Sequence, residues 1–128
     1  MSAKALIVDD SRAVRVILTR HLRELDYEVA EAGDGLEALA ILATSEPFEL
    51  ALLDWNMPRM NGLELLERLR SSPRYDAMRI IMVTTVTVTE QIATALAAGA
   101  NEYVMKPFTR EILFGKLQIA GVRSGEMP

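Results

Sequence analysis

The sequence predicts an α/β protein built on a doubly wound, five-stranded parallel sheet with strand order 2-1-3-4-5 and helices on both faces. Three observations lead there. Strand-like and helix-like patterns alternate five times along 128 residues, which demands a parallel sheet joined by right-handed crossovers. The runs Ala5-Leu6-Ile7-Val8, Leu50-Ala51-Leu52-Leu53 and Ile80-Ile81-Met82-Val83 are continuously apolar, as expected of central strands buried on both faces. Each run ends abruptly in polar residues: Asp9-Asp10, Asp54 and Thr84-Thr85.

The elements follow in order. Ala5–Val8 reads as the first strand. After Ser11, the residues Val14, Ile17, Leu18, His21, Leu22 and Leu25 recur at helical spacing and mark the inner face of the first helix. Tyr27–Ala32, with Glu28 and Glu31, has the mixed polarity of an edge strand. Asp34-Gly35-Leu36-Glu37 has capping-box spacing and starts a second helix that runs to about Ser45, before Pro47. Phe48–Leu53 is the third strand. Asn61-Gly62-Leu63-Glu64 caps a third helix reaching about Arg70, and Ser71-Ser72-Pro73 ends it. Ile80–Val83 is the fourth strand. Thr87-Val88-Thr89-Glu90 fits another capping box, with Ile92, Ala95, Leu96 and Gly99 on the inner face of the fourth helix. Tyr103–Met105 forms a short fifth strand at the other edge. Thr109 caps the fifth helix, whose inner face is Ile112, Leu113, the stem of Lys116, Leu117 and Ala120. From Gly121 the chain reads as a tail. The expectation is one domain over residues 1–128, with its core at about 4–122.

Composition narrows the function. The absence of cysteine excludes disulfides and thiol chemistry, and a single histidine excludes a histidine metal cluster. A net charge of −4 with no basic stripe argues against direct nucleic-acid binding. No apolar run reaches membrane-spanning length and no signal sequence is visible, so a cytoplasmic protein is expected. His21 lies among apolar neighbours and reads as a packing or boundary residue. The methionines near Asp54 read as gap-fillers.

In a parallel sheet all strands point the same way, so Asp9, Asp10, Asp54, Thr84, Thr85 and Lys106 share one edge, where such sheets place ligands. Asp54 is central, and Lys106 starts two strands away, roughly 10 Å. Its stem covers much of that gap, and a group attached to Asp54 would cover the remainder. Three converging carboxylates repel, so either one holds a proton or a cation binds. All-oxygen ligands at a partly hydrated site suit Mg²⁺. A metal, an ammonium and a hydroxyl together suit a phosphoryl group, and Asp54 can be the nucleophile that receives it.

These residues resemble the receiver domains of two-component response regulators, most closely the single-domain, chemotaxis-type (CheY-like) members. The motifs are the acid pair Asp9-Asp10, the run Asp54-x-x-Met57-Pro58-x-Met60-x-Gly62, Thr84, and Lys106-Pro107, and the likeness spans Lys4 to about Val122. Members of this family are themselves standard examples of the flavodoxin-like 2-1-3-4-5 order. The resemblance implies that Asp54 is the phosphoacceptor. It implies that Asp10, Asp54 and the main-chain carbonyl of Asn56 ligate Mg²⁺, with Asp9 acting mainly through metal-bound water. Thr84, Lys106 and main-chain N–H groups near Trp55 and Thr85 would hold the phosphoryl oxygens. Tyr103 matches the switch aromatic, and the family often has a cis peptide before the proline matching Pro107.

The resemblance further implies a histidine kinase or phosphotransfer protein as donor, since His21 does not serve. Output partners would read a face made by helix 4, strand 5 and helix 5, with Gln91, Thr94, Tyr103 and Ile112 as members. No effector domain follows the fifth helix, so output by protein contact from a monomer is expected. Val86 departs from the polar, acidic or small residue often found two positions after the threonine, and bears on the lifetime of the phosphorylated state. Two rivals fit less well. A small-molecule phosphohydrolase needs a specificity pocket or cap insertion, and a degenerate docking module typically lacks a site residue.

Overall fold

The computed structural model describes residues 3–44, 46–85 and 89–122. Its elements are β1 (Lys4–Val8), α1 (Arg12–Glu24), β2 (Glu28–Ala32), α2 (Gly35–Thr44), β3 (Leu50–Leu53), α3 (Gly62–Arg70), a 3-10 turn (Pro73–Tyr75), β4 (Arg79–Thr84), α4 (Thr89–Ala97), β5 (Glu102–Met105) and α5 (Arg110–Ile119). All strand pairs are parallel, and the order is β2-β1-β3-β4-β5. The predicted order, central strands and edges are all borne out.

Side-chain alternation divides the core into two layers. Ala5, Ile7, Leu50, Leu52, Ile81, Val83 and Val104 face Leu18, Leu22, Leu113, Phe114 and Leu117 of α1 and α5. Leu6, Val8, Ala51, Leu53, Ile80 and Met82 face Ala38, Leu42, Leu65, Leu66, Leu69 and Ala95 of α2, α3 and α4. Central strands therefore need apolar residues at every position, which is why they read as continuous runs.

The caps explain where helices start. Ser11 Oγ accepts from Val14 N–H at 3.3 Å, and Asp34 Oδ1 accepts from Glu37 N–H at 2.9 Å. Asn61 and Glu64 form a complete capping box, and Thr109 Oγ1 accepts from Ile112 N–H at 3.1 Å. Ser45, Thr87 and Val88, named in the expected helix ends, lie outside the described residues, as do Val86 and the tail 123–128.

Several inner-face assignments need correction. Ile17, Leu96 and Ile112 are exposed, whereas Thr19 and Phe114 are buried. In α1 and α5 the buried stripe is displaced from the expected one, with Thr19 and Phe114 inside it and Ile17 and Ile112 outside, because the line along which the helix meets the sheet decides which side chains are covered. Val122 is buried and donates to Leu117 O at 2.9 Å, so the chain stays packed past Gly121. Arg70 is another feature that periodicity could not reveal. Its guanidinium donates to the carbonyls of Gly99, Tyr75 and Met78 and to Asn101 Oδ1, all at 2.8–2.9 Å. That satisfies the carbonyls of two loops at the sheet's opposite end.

Candidate functional site

Backbone bonds continue one residue beyond three strands and fix the site's register. Asp9 N–H donates to Ala32 O at 3.1 Å, Asp54 N–H to Val8 O at 2.8 Å, and Lys106 N–H to Thr84 O at 2.9 Å. The polar residues after the strands thus begin from aligned positions along one edge. Gly62 closes the loop after β3. A Cβ there would lie 2.1 Å from the carbonyl oxygen of Asp54, so only glycine permits the approach. Gly62 N–H also donates to Trp55 O at 2.9 Å.

Asp9, Asp10 and Asp54 each present a carboxylate oxygen within 4.8 Å of the others. Asp9 and Asp54 are buried and Asp10 is exposed. Asp9 Oδ1 accepts from Ser11 N–H at 2.8 Å. Lys106 Nζ donates to Asp9 Oδ2 at 2.8 Å and to Asp54 Oδ1 at 3.2 Å. The lysine stem therefore crosses the whole gap to Asp54 with no attached group needed to complete it. Thr84, the last residue of β4, is buried, and Thr85 beside it is exposed. Trp55 is half-buried and Asn56 exposed at the start of the β3–α3 loop. Tyr103 is half-buried within β5 and lies away from the cluster's bonds, and the Lys106–Pro107 peptide is cis.

Electrostatics follow from this crowding. Burial pushes the Asp54 carboxyl above its ordinary range, the charge of Asp9 adds to the rise, and Lys106 opposes it. Burial alone would lower the Lys106 ammonium. The hydrogen bond that Lys106 donates to Asp9 and the charges of Asp54 and Asp9 outweigh it, so the group is raised. The donor set fits Mg²⁺: hard carboxylate oxygens from three residues converge, one of them open to water.

Two residues of this neighbourhood were not singled out from sequence. Arg15 donates from Nη1 to Asp9 O at 2.5 Å and from Nε to Glu31 Oε1 at 3.0 Å. Arg59, in the left-handed region at φ 67°, pairs with Asp34. Arg15 falls on the polar face of a helix and Arg59 in a loop, so neither carries a periodic signal. A groove of about 400 Å³, lined by Val14, Ile17, Thr85, Pro107 and Phe108, opens beside Lys106.

Comparison with known proteins agrees with this geometry. The family model described as response regulator receiver domain matches residues 5–118. A chemotaxis protein CheY homolog of Campylobacter jejuni is 45% identical over 125 residues, covering 96% of each chain. The chemotaxis protein CheY1 of Helicobacter pylori is 44% identical over 117 residues, covering 91% of this chain and 94% of its own. Among solved structures, CheY4 of Vibrio cholerae superposes with a TM-score of 0.85 at 38% identity, over 94% of this chain and 99% of its own. With the strand order, the acid cluster and these likenesses in agreement, the chain belongs to the response regulator receiver domain family.

Proposed function

We propose that this receiver accepts a phosphoryl group on Asp54 from the phosphohistidine of a histidine kinase or phosphotransfer protein, in the presence of Mg²⁺, and thereby changes its affinity for an output protein. The observation that carries the proposal is the position of Asp54. It is a buried carboxylate at the end of the central strand β3, drawn together with Asp9, Asp10 and Lys106. The names of the relatives support a chemotaxis target as the output protein.

An oxygen of Asp54 forms the new P–O bond as the donor's P–N bond breaks, and the electron pair returns to the imidazole nitrogen. Asp10, Asp54 and the carbonyl of Asn56 would hold Mg²⁺, with Asp9 acting through water. When bound, the ion supplies positive charge that offsets the phosphoryl oxygens. Lys106, already within bonding distance of Asp54, pairs with one phosphoryl oxygen. The Thr84 hydroxyl and the main-chain N–H groups at Trp55 and Thr85 donate to the others. The groove of Val14, Ile17, Pro107 and Phe108 gives the donor protein an apolar footing next to Lys106.

The chain acts as a single receiver unit over residues 1–128, cytoplasmic and monomeric, whose only chemistry is its own phosphorylation and dephosphorylation. Its output surface is formed by α4, β5 and α5, where Gln91, Thr94 and Ile112 are exposed and Tyr103 is half-buried. Among the described residues no helix is long and apolar enough to cross a membrane. Incubation with acetyl phosphate and MgCl₂, followed by intact-mass measurement, tests the reading. One phosphoryl adduct is expected in the wild type and none in Asp54→Asn. Equal adduct in both would remove Asp54 from its role.

A further inference from the structure

We infer that Arg59, acting through Asp34, is a positioning residue for the loop that carries Asn56; the inference rests on the Mg²⁺ reading above. The β3–α3 loop is closed at its base by the Gly62–Trp55 bond, and its far end is turned by the bond from Met60 N–H to Pro58 O at 2.7 Å. Neither bond fixes where the loop lies over the sheet edge. Trp55, Met57 and Met60 pack against the core layer beneath α2, α3 and α4, and contacts with the start of α2 add to that hold. The Arg59 guanidinium pairs with the Asp34 carboxylate, and Met60 packs so closely that a Cβ on Gly35 would lie 2.9 Å from its Cβ, Cγ and Sδ atoms.

Arg59 sits at φ 67°, a conformation that a non-glycine residue keeps only when its surroundings hold it there. Asp34 is a firm anchor. Its side chain is 5% exposed, and Oδ1 already receives the Glu37 N–H of the helix cap. That bond, followed by the arginine, holds the carboxyl below its ordinary range. Asp34 is not one of the three clustered carboxylates. It supplies no proposed ligand, yet it fixes the loop between Asp54 and Gly62. The Arg59 side chain is 67% exposed, so solvent screens the pair and limits what it contributes.

The test is a MgCl₂ titration of Trp55 fluorescence, checked by calorimetry, on wild type, Arg59→Gln, Arg59→Lys, Asp34→Asn and the Arg59→Gln/Asp34→Asn double variant. Thermal melts without divalent ions accompany each. Arg59→Gln is expected to weaken Mg²⁺ binding by about two- to tenfold, within the range of screened pairs and outer ligand supports. Arg59→Lys should recover most of that loss, because it keeps the charge. Asp34→Asn keeps the cap acceptor and should weaken binding similarly, and the double variant should be no worse than the weaker single one. Wild-type affinity in Arg59→Gln, failure of lysine to recover binding, or additive losses would each overturn the inference while leaving the metal reading intact. A wild type that binds no Mg²⁺ by either method would overturn both.

Discussion

Lys106 bonds directly to Asp54 across the width of β4: its Nζ lies 3.2 Å from Asp54 Oδ1 while also reaching Asp9 Oδ2 at 2.8 Å. The ammonium therefore holds two of the three carboxylates that would meet a metal ion. A cation entering the cluster must compete with it.

Lys106→Met should accordingly raise Mg²⁺ affinity while lowering stability without the ion. The loss follows because Asp9 and Asp54 are buried and would lose their neutralising partner. With the lysine side chain 17% exposed, about 2 kcal/mol is the expected cost, below that of a fully buried pair. Urea unfolding in EDTA and the fluorescence titration measure the two effects. A variant with weaker Mg²⁺ binding would show that Lys106 supports the ion site instead of competing for it.

The raised Asp54 carboxyl makes a pH prediction. Burial first, then the charge of Asp9, disfavour its ionised form in the folded protein. A carboxyl raised by folding contributes stability below its unfolded pKa and loses it as pH rises through the folded value. At neutral pH, without divalent ions, Asp54 thus opposes folding. Asp54→Asn should melt higher at pH 7, by on the order of 4 °C per kcal/mol relieved. The gap should close as pH falls and the wild-type carboxyl takes up its proton. A gap that widens on acidification would contradict the assignment.

The acid pair should divide its work. Asp9 is buried and bonded to Ser11 N–H and Lys106, whereas Asp10 is exposed. Asp9→Ala should cost about 1–3 kcal/mol of stability, the range for leaving buried polar partners unmet. Asp10→Ala should melt like wild type but bind Mg²⁺ more weakly than Asp9→Ala does. Thermal melts and fluorescence titrations on both variants decide the matter, and equal behaviour would end the distinction.

Most of this arrangement was readable because it depends on short-range signals. Continuous apolar runs mark doubly covered strands, and Asn61 with Glu64 or Thr109 mark helix starts by their own hydrogen bonds. Once five alternations impose a parallel sheet, Asp9, Asp54 and Lys106 must share an edge. What stayed hidden depends on contacts between distant segments. Ile17 and Ile112 keep helical spacing yet escape burial while Thr19 and Phe114 are covered, since spacing does not fix where the strip that meets the sheet is centred. Arg15, Arg59 and Arg70 use their length to reach carbonyls and carboxylates far along the chain. An arginine in a loop or on a polar face carries no mark of its partner.

The last prediction concerns the switch, and it turns on Tyr103. The ring is half-buried against the α2–α3–α4 layer, and Lys116 Nζ lies 4.1 Å from its centroid while also meeting Glu102 at 3.4 Å. A cation over an accessible ring is worth about 0.5–1 kcal/mol. Coupling in protein switches is typically about 1–3 kcal/mol, so Lys116 biases the ring without locking it. Thr84 ends β4, the strand beside Tyr103, and is buried. If the phosphoryl group draws Thr84 toward Asp54, it favours an arrangement in which Tyr103 fills the space released and reshapes the α4–β5–α5 surface. Partner affinity should then rise by roughly 5–150-fold on phosphorylation. Thr84→Ala should still form the adduct but lose most of that gain. Calorimetry of a verified partner, with and without beryllofluoride, reads the effect in both proteins. An equal gain in both would remove Thr84 from the switch, and no gain in the wild type would remove the switch itself.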